Sequence, residues 1–165
     1  MVNIEPKPGI MKIDLYEGGV SQLDGQDEVV KLSSNENPFG PSPKAVKAYS
    51  ISGQDLHRYP SMFHKQLREA ISIVFDLTPD NIICGVGSDE IISLLCQTFS
   101  GHGDEVIYTE HGFAMYKISA LAAGATPVVV REKNRIADID NIIKTCTEKT
   151  KLIFIANPNN PTGTM

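Results

Sequence analysis

The 165-residue chain has no tryptophan and only three cysteines, Cys84, Cys96 and Cys146. An odd number of thiols without C-x-x-C spacing excludes a disulfide framework and a paired-cysteine zinc site, and fits reduced, partly buried thiols. The four histidines are scattered too, so no metal site is expected. No apolar run approaches the ~20 residues of a membrane span, and "MVNIEPKPGIMKIDLY" lacks the basic start and apolar middle of a signal peptide. A soluble, cytoplasmic chain without a membrane partner is the expectation. A basic run and an aromatic-basic stripe are also missing, and the formal net charge is −5. That removes the electrostatic basis for a nucleic-acid partner and leaves small molecules.

What is present is a globular composition, 41% hydrophobic and 21% charged, in a chain long enough for one real core. Residues 1–30 are rich in Gly, Pro, Asp and Gln and read as an N-terminal arm that packs onto something else. "SSNENPFGPSPKAV" follows as a bend, whose prolines delay any helix until a short one over Pro43 to Tyr49. Phe63, Leu67, Ile71, Val74 and Phe75 then recur at helical spacing, with "LTPDN" as the stop.

From there short apolar runs alternate with amphipathic segments. "NIIC", "EVIYT", "TPVVV" and "KLIFIA" read as four strands. "SDEIISLLCQTF", "AMYKISALAAG" and "DIDNIIKTCT" read as helices, the second stopped by Gly124. This is the pattern of an α/β fold, a mostly parallel sheet with helices on both faces. Ligands of such sheets bind at the carboxyl ends of the strands.

Three loops at that end carry chemistry. In "CGVGSDEII", Gly85 and Gly87 permit close approach of a ligand, and Ser88 and Asp89 bring free N–H groups to a helix N-terminus, a cup for phosphate. The competing reading is a tight turn capped by Ser88. A dinucleotide fingerprint would place Gly where Glu90 stands, and no P-loop lysine follows. In "YTEHGFAMY", Phe113 offers a ring to stack on a planar cofactor, or is with Tyr116 a plain core aromatic. In "ANPNNPTG" the Asn-Pro pairs set sharp turns, and an Asn carboxamide there can donate to a phenolate oxygen.

The ordered set "SSNENPFGPSP", "RYP", "GVGSDEII", "GFAMY" and "ANPNNPTG" resembles the fold-type I aminotransferases, most closely their histidinol-phosphate branch, over nearly the whole chain. The resemblance implies pyridoxal 5′-phosphate (PLP) as cofactor, a homodimer, and amino transfer between histidinol phosphate and 2-oxoglutarate/glutamate in histidine biosynthesis. It implies that Gly87, Ser88 and Asp89 hold the cofactor phosphate, that Phe113 stacks on the ring where the family more often has Tyr, and that Asn160 bonds the ring hydroxyl. Tyr59 resembles the tyrosine that reaches a partner subunit's cofactor phosphate, and Tyr16 and Asn37 resemble substrate-side residues. An aromatic or phospho-amino-acid aminotransferase, or a decarboxylase of the same fold, is the alternative chemistry. A non-catalytic dimerising fragment is the alternative class.

The family's cofactor lysine lies beyond "NPTG", so it is expected beyond Met165. Lys117 falls inside a helix and Lys151 ahead of its strand at the far end of the sheet, and neither is a credible substitute. Residues 31–165 are therefore expected to be the N-terminal, incomplete part of the PLP-binding large domain, inactive alone.

Overall fold

The computed structural model describes residues 4–16, 18, 19, 24, 25 and 30–165. They form two compact units, one from Met1–Leu15 and Cys84–Met165, the other from Tyr16–Ile83.

The first unit is built on three parallel strands, β1 (Glu105–Thr109), β2 (Thr126–Val130) and β3 (Thr150–Phe154), in the order β2-β1-β3. The central place of β1 follows from "EVIYT". Its apolar residues leave no side for water, and Val106 through Thr109 are all buried. β2 carries Pro127, which has no N–H to give, and it is an edge strand. Two helices, α3 (Gly87–Phe99) and α4 (Met115–Ala123), cover one face of the sheet. There Val106 packs with Cys96, Ala120 and Ala125, and Tyr108 packs with Ile92 and Tyr116. The alternation of the strand sends Ile107 to the other face, against Val130 and Ile142 of α5 (Ile139–Thr145). Full burial of a side chain such as Ile107 contributes about 1.5–3 kcal/mol.

Local chemistry sets the element ends. Asp138 caps α5 by accepting from the Asn141 N–H at 3.1 Å. Gly124, at φ 89°, ends α4 in the left-handed conformation that the sequence anticipates. Ahead of the sheet, Gly9 comes so close to α4 that an added Cβ would meet the Leu121 carbonyl oxygen at 2.8 Å. Asp14 pairs with Lys117 of α4 at 3.6 Å.

Two expectations are corrected here. "NIIC" forms no strand: Ile82 has extended dihedrals, but residues 82–84 have no strand partner among the described residues. An apolar run specifies an extended backbone, whereas a strand also requires a neighbour. Lys151 does not precede its strand; it is the second residue of β3, exposed and still near the amino end.

The second unit holds α1 (Pro43–Ser52) and α2 (Lys65–Phe75). Ser42 caps α1 by accepting from the Ala45 N–H at 3.2 Å with Pro43 in the first turn, and the helix runs three residues past Tyr49. α2 ends at Asp76, left-handed at φ 53°, one residue before "LTPDN". Arg68 ties α2 to the following turn, donating to the Pro79 carbonyl at 2.6 Å and pairing with Asp80 at 3.1 Å. Among the described residues, no side chain of α1 or α2 is buried.

Candidate functional site

The carboxyl ends of the three parallel strands open into loops that meet. β1 leads through Glu110, His111 and Gly112 to Phe113; β2 leads through Arg131 to Glu132; β3 leads through Ile155 to "ANPNNPTG". Asn159 joins the first and third loops. It is buried, and its Nδ2 donates to the His111 carbonyl at 3.4 Å and to Thr162 Oγ1 at 3.0 Å, and lies 3.5 Å from Glu132 Oε1. The backbone of Asn159 closes the turn, with its N–H donating to Thr164 O at 2.8 Å and its C=O accepting from Gly163 N–H at 2.7 Å. The carbonyl of His111 and the carboxylate of Glu132 can only accept, so the amide nitrogen must face them. Asn159 Oδ1 is left as a buried acceptor without a donor. Both Asn-Pro bonds of the loop are cis.

Glu132 is the charged member of this cluster. Its side chain is 2% exposed, its Oε2 lies 2.8 Å from His111 Nδ1, and its Oε1 accepts from the His111 N–H at 3.2 Å. Burial pushes its carboxyl pKa up, but hydrogen bonds from Thr109 and from the ring and backbone of His111, together with the charge of His111, outweigh that and hold it below the ordinary value. A cavity of about 220 Å³ lies alongside, lined by Thr109, Glu132, Ile136, Asn157, Asn159 and Thr164.

Phe113 stands half-buried at the mouth of α4, edge-on to Tyr116 with ring centroids 6.0 Å apart. Tyr116 is itself core, stacked on Phe154 at 4.9 Å. The two aromatics that the sequence leaves equivalent therefore separate, Tyr116 filling the interior and Phe113 partly open. Asn160, half-buried, follows Asn159 directly.

α3 begins at Gly87, and no side chain caps it through Val86. Ser88 lies inside the first turn, so the reading of Ser88 as the cap is corrected: the Glu90 carboxylate reaches back to the Val86 N–H at 2.6 Å. Glu90 stands where a dinucleotide fingerprint needs glycine, and its role in the turn leaves no room for that fingerprint. Gly87 has φ 76° and nothing within 4 Å of an added Cβ, whereas a Cβ on Gly85 would meet Glu90 Oε2 at 2.8 Å. One glycine thus serves backbone conformation and the other close packing. The exposed first turn, with Ser88 and Asp89, offers N–H groups and the positive end of a helix dipole.

Tyr16, Asn37 and Tyr59 belong to the other unit. Asn37 uses its carboxamide locally, accepting from the Phe39 N–H at 3.0 Å, and Tyr59 is fully exposed. The three cysteines are free thiols, and burial pushes that of Cys96 up to about 11. Among the described residues no group of three His, Cys, Asp or Glu is disposed to hold a metal, and no helix is long and apolar enough to cross a membrane.

Thr109, Glu132 and Asn159 are the site residues that sequence reasoning did not select. A carboxylate two residues past the buried end of "VVV" was the available signal for Glu132.

The sequence pattern of the aminotransferase class I and II family matches residues 27–165. The chain belongs to that family. It is 63% identical over its full length to the histidinol-phosphate aminotransferase of Dinoroseobacter shibae, spanning 46% of that protein. It is 62% identical over 162 residues to the histidinol-phosphate aminotransferase of Paracoccus denitrificans, 98% of this chain and 44% of that one. The crystal structure of histidinol-phosphate aminotransferase from Sinorhizobium meliloti in complex with pyridoxal-5′-phosphate has the same fold, with a TM-score of 0.76 at 23% identity over 79% of this chain and 36% of that one. The chain thus spans about half the length of the curated relatives it matches.

Proposed function

We propose that this chain is the cofactor-gripping part of a PLP-dependent aminotransferase that moves an amino group between histidinol phosphate and 2-oxoglutarate. The observation that carries the reading is the conjunction of 63% identity along the whole chain with the tying of the Phe113 loop to the Asn160 loop at the ligand end of the sheet. The donor set fits the group. The uncapped first turn of α3, with Gly87, Ser88 and Asp89, suits a phosphate; the partly open ring of Phe113 suits a planar heterocycle; the Asn160 carboxamide suits its phenolic oxygen. PLP, when bound, supplies an electron sink for the substrate's α-carbon. The protein's work is to hold that sink still and dry. Backbone N–H groups anchor its phosphate, Phe113 shields one face, and the Asn160 amide favours the ionised ring oxygen by donating to it.

Tyr16 and Asn37 are proposed on the substrate side. Tyr59, fully exposed in the single chain, is proposed to reach the cofactor phosphate of a second subunit in a homodimer. A cytoplasmic location, with no nucleic-acid or membrane partner, is part of the same proposal. Residues 1–30 are proposed as an arm and 31–165 as the incomplete cofactor domain. None of the eleven lysines is proposed to carry the cofactor. Lys117 is paired with Asp14, Lys151 sits at the amino end of β3, and relatives of twice the length have room for that lysine elsewhere.

Two measurements test this. Borohydride reduction of the 165-residue chain with PLP, followed by mass spectrometry, is expected to label no single lysine stoichiometrically; one such lysine overturns the division of labour. The full-length enzyme is expected to transfer amino groups from histidinol phosphate faster than from phenylalanine or tyrosine, and the reverse order moves the assignment to the aromatic aminotransferases.

A further inference from the structure

We propose that Glu132 is a positioning residue that locks the Phe113 loop and the Asn160 loop into one rigid cofactor face. The inference rests on the reading of Phe113 and Asn160 as cofactor contacts. Glu132 leaves the end of β2, an edge strand, and yet reaches the loops that follow both of the other strands. Toward β1 it accepts from the His111 N–H at 3.2 Å and meets His111 Nδ1 at 2.8 Å. Toward β3 it lies 3.5 Å from the Asn159 amide, which also donates to the His111 carbonyl. Phe113 is two residues from His111, and Asn160 is the residue after Asn159.

A carboxylate with 2% of its side chain exposed is costly to bury, and its location is explained by the donors that converge on it. Donors on two different loops can meet one carboxylate only when those loops hold a single relative position. That property is what a planar cofactor, stacked by one loop and hydrogen-bonded by the other, requires. The His111 side chain is 44% exposed. Its truncation therefore leaves the core untouched while removing one donor from Glu132.

The test uses the full-length enzyme with Glu132→Ala, Glu132→Gln and His111→Ala, and reads PLP affinity together with hydrogen exchange of the cofactor-free protein. Loss of a charged hydrogen-bond hub is expected to raise the PLP Kd of Glu132→Ala about tenfold or more, and Glu132→Gln, which keeps an acceptor oxygen, is expected to stay within about threefold. Exchange in 110–114 and in 157–163 is expected to rise together while β1 stays protected. His111→Ala is expected to raise exchange in 157–163, and it decides the matter if Glu132→Ala fails to fold. An unchanged Kd in Glu132→Ala, or exchange that rises in only one loop, overturns the proposal. A parent enzyme that binds no PLP overturns instead the functional reading, and the exchange experiment still judges the coupling.

Discussion

Replacing Asn159 by Asp changes one atom group and reverses the electrostatics of the strand-end cluster. In the parent, Asn159 Nδ2 lies 3.5 Å from the ionised Glu132 and 3.4 Å from the His111 carbonyl. Asn159→Asp puts a carboxylate oxygen where that donor stood. With the two charge centres roughly 4 Å apart and an effective dielectric near 20, the repulsion is about 4 kcal/mol. Spread over pKa units of about 1.4 kcal/mol, that raises the new carboxyl by about 3, from an ordinary value near 4 to about 7. A group whose pKa is raised in the folded state destabilises the protein above its unfolded value and ceases to do so below it. The stability deficit of Asn159→Asp is therefore expected to be about 4 kcal/mol at pH 7 and to shrink to about 1.5 kcal/mol at pH 5, where the pair shares a proton. Asn159→Ala is the control: it loses one hydrogen bond of normal length, to Thr162, for about 1 kcal/mol with no pH dependence over that range. Urea denaturation of the full-length protein at pH 7, 6 and 5 measures both. Equal deficits for Asp and Ala at every pH would refute the reasoning, because they would mean that no ionised carboxylate lies close to position 159.

Other outcomes follow from the same geometry. Phe113→Ala is expected to weaken PLP binding by about three- to tenfold, the worth of one aromatic stack, with Phe113→Tyr near the parent, both read by cofactor titration. Ile107 is fully buried between Val130 and Ile142, so Ile107→Ala is expected to cost about 3 kcal/mol of unfolding free energy in urea. Thiol titration of the native protein with a chromogenic disulfide is expected to modify exposed Cys146 at once. Cys96, fully buried and pushed up to about 11, is expected to react only on unfolding, and fast labelling of Cys96 contradicts the packing.

The parts of the fold legible in sequence are those fixed by local pattern. "EVIYT" and "TPVVV" mark β1 and β2 residue for residue, since short runs of β-branched and aromatic residues favour a pleated, extended backbone. Gly124 marks the end of α4 because an αL residue is cheapest as glycine. "NIIC" has the same local pattern and fails, because pairing is a relation to a second segment, which no local window contains. The strand ends show the same limit. Glu132 sits in "REKNR", where charged neighbours point to a solvated loop, and only the convergence of His111 and Asn159 gives it a reason to be buried.

The paired asparagines show how such a limit bears on function. Asn159 and Asn160 are chemically identical neighbours, and the family resemblance selects Asn160 as the cofactor contact. The buried member is Asn159, which donates to two loops and closes its own turn on Thr164. An amide that must meet a cofactor with fixed direction needs its backbone held, and an amide spent on holding the backbone is not free to meet the cofactor. Asn159 therefore holds the turn, and the cofactor contact proposed for Asn160 is a separate task that one residue could not combine with it. Substitution of Asn159 is accordingly expected to act on cofactor binding through the position of its neighbour, and substitution of Asn160 through the contact itself.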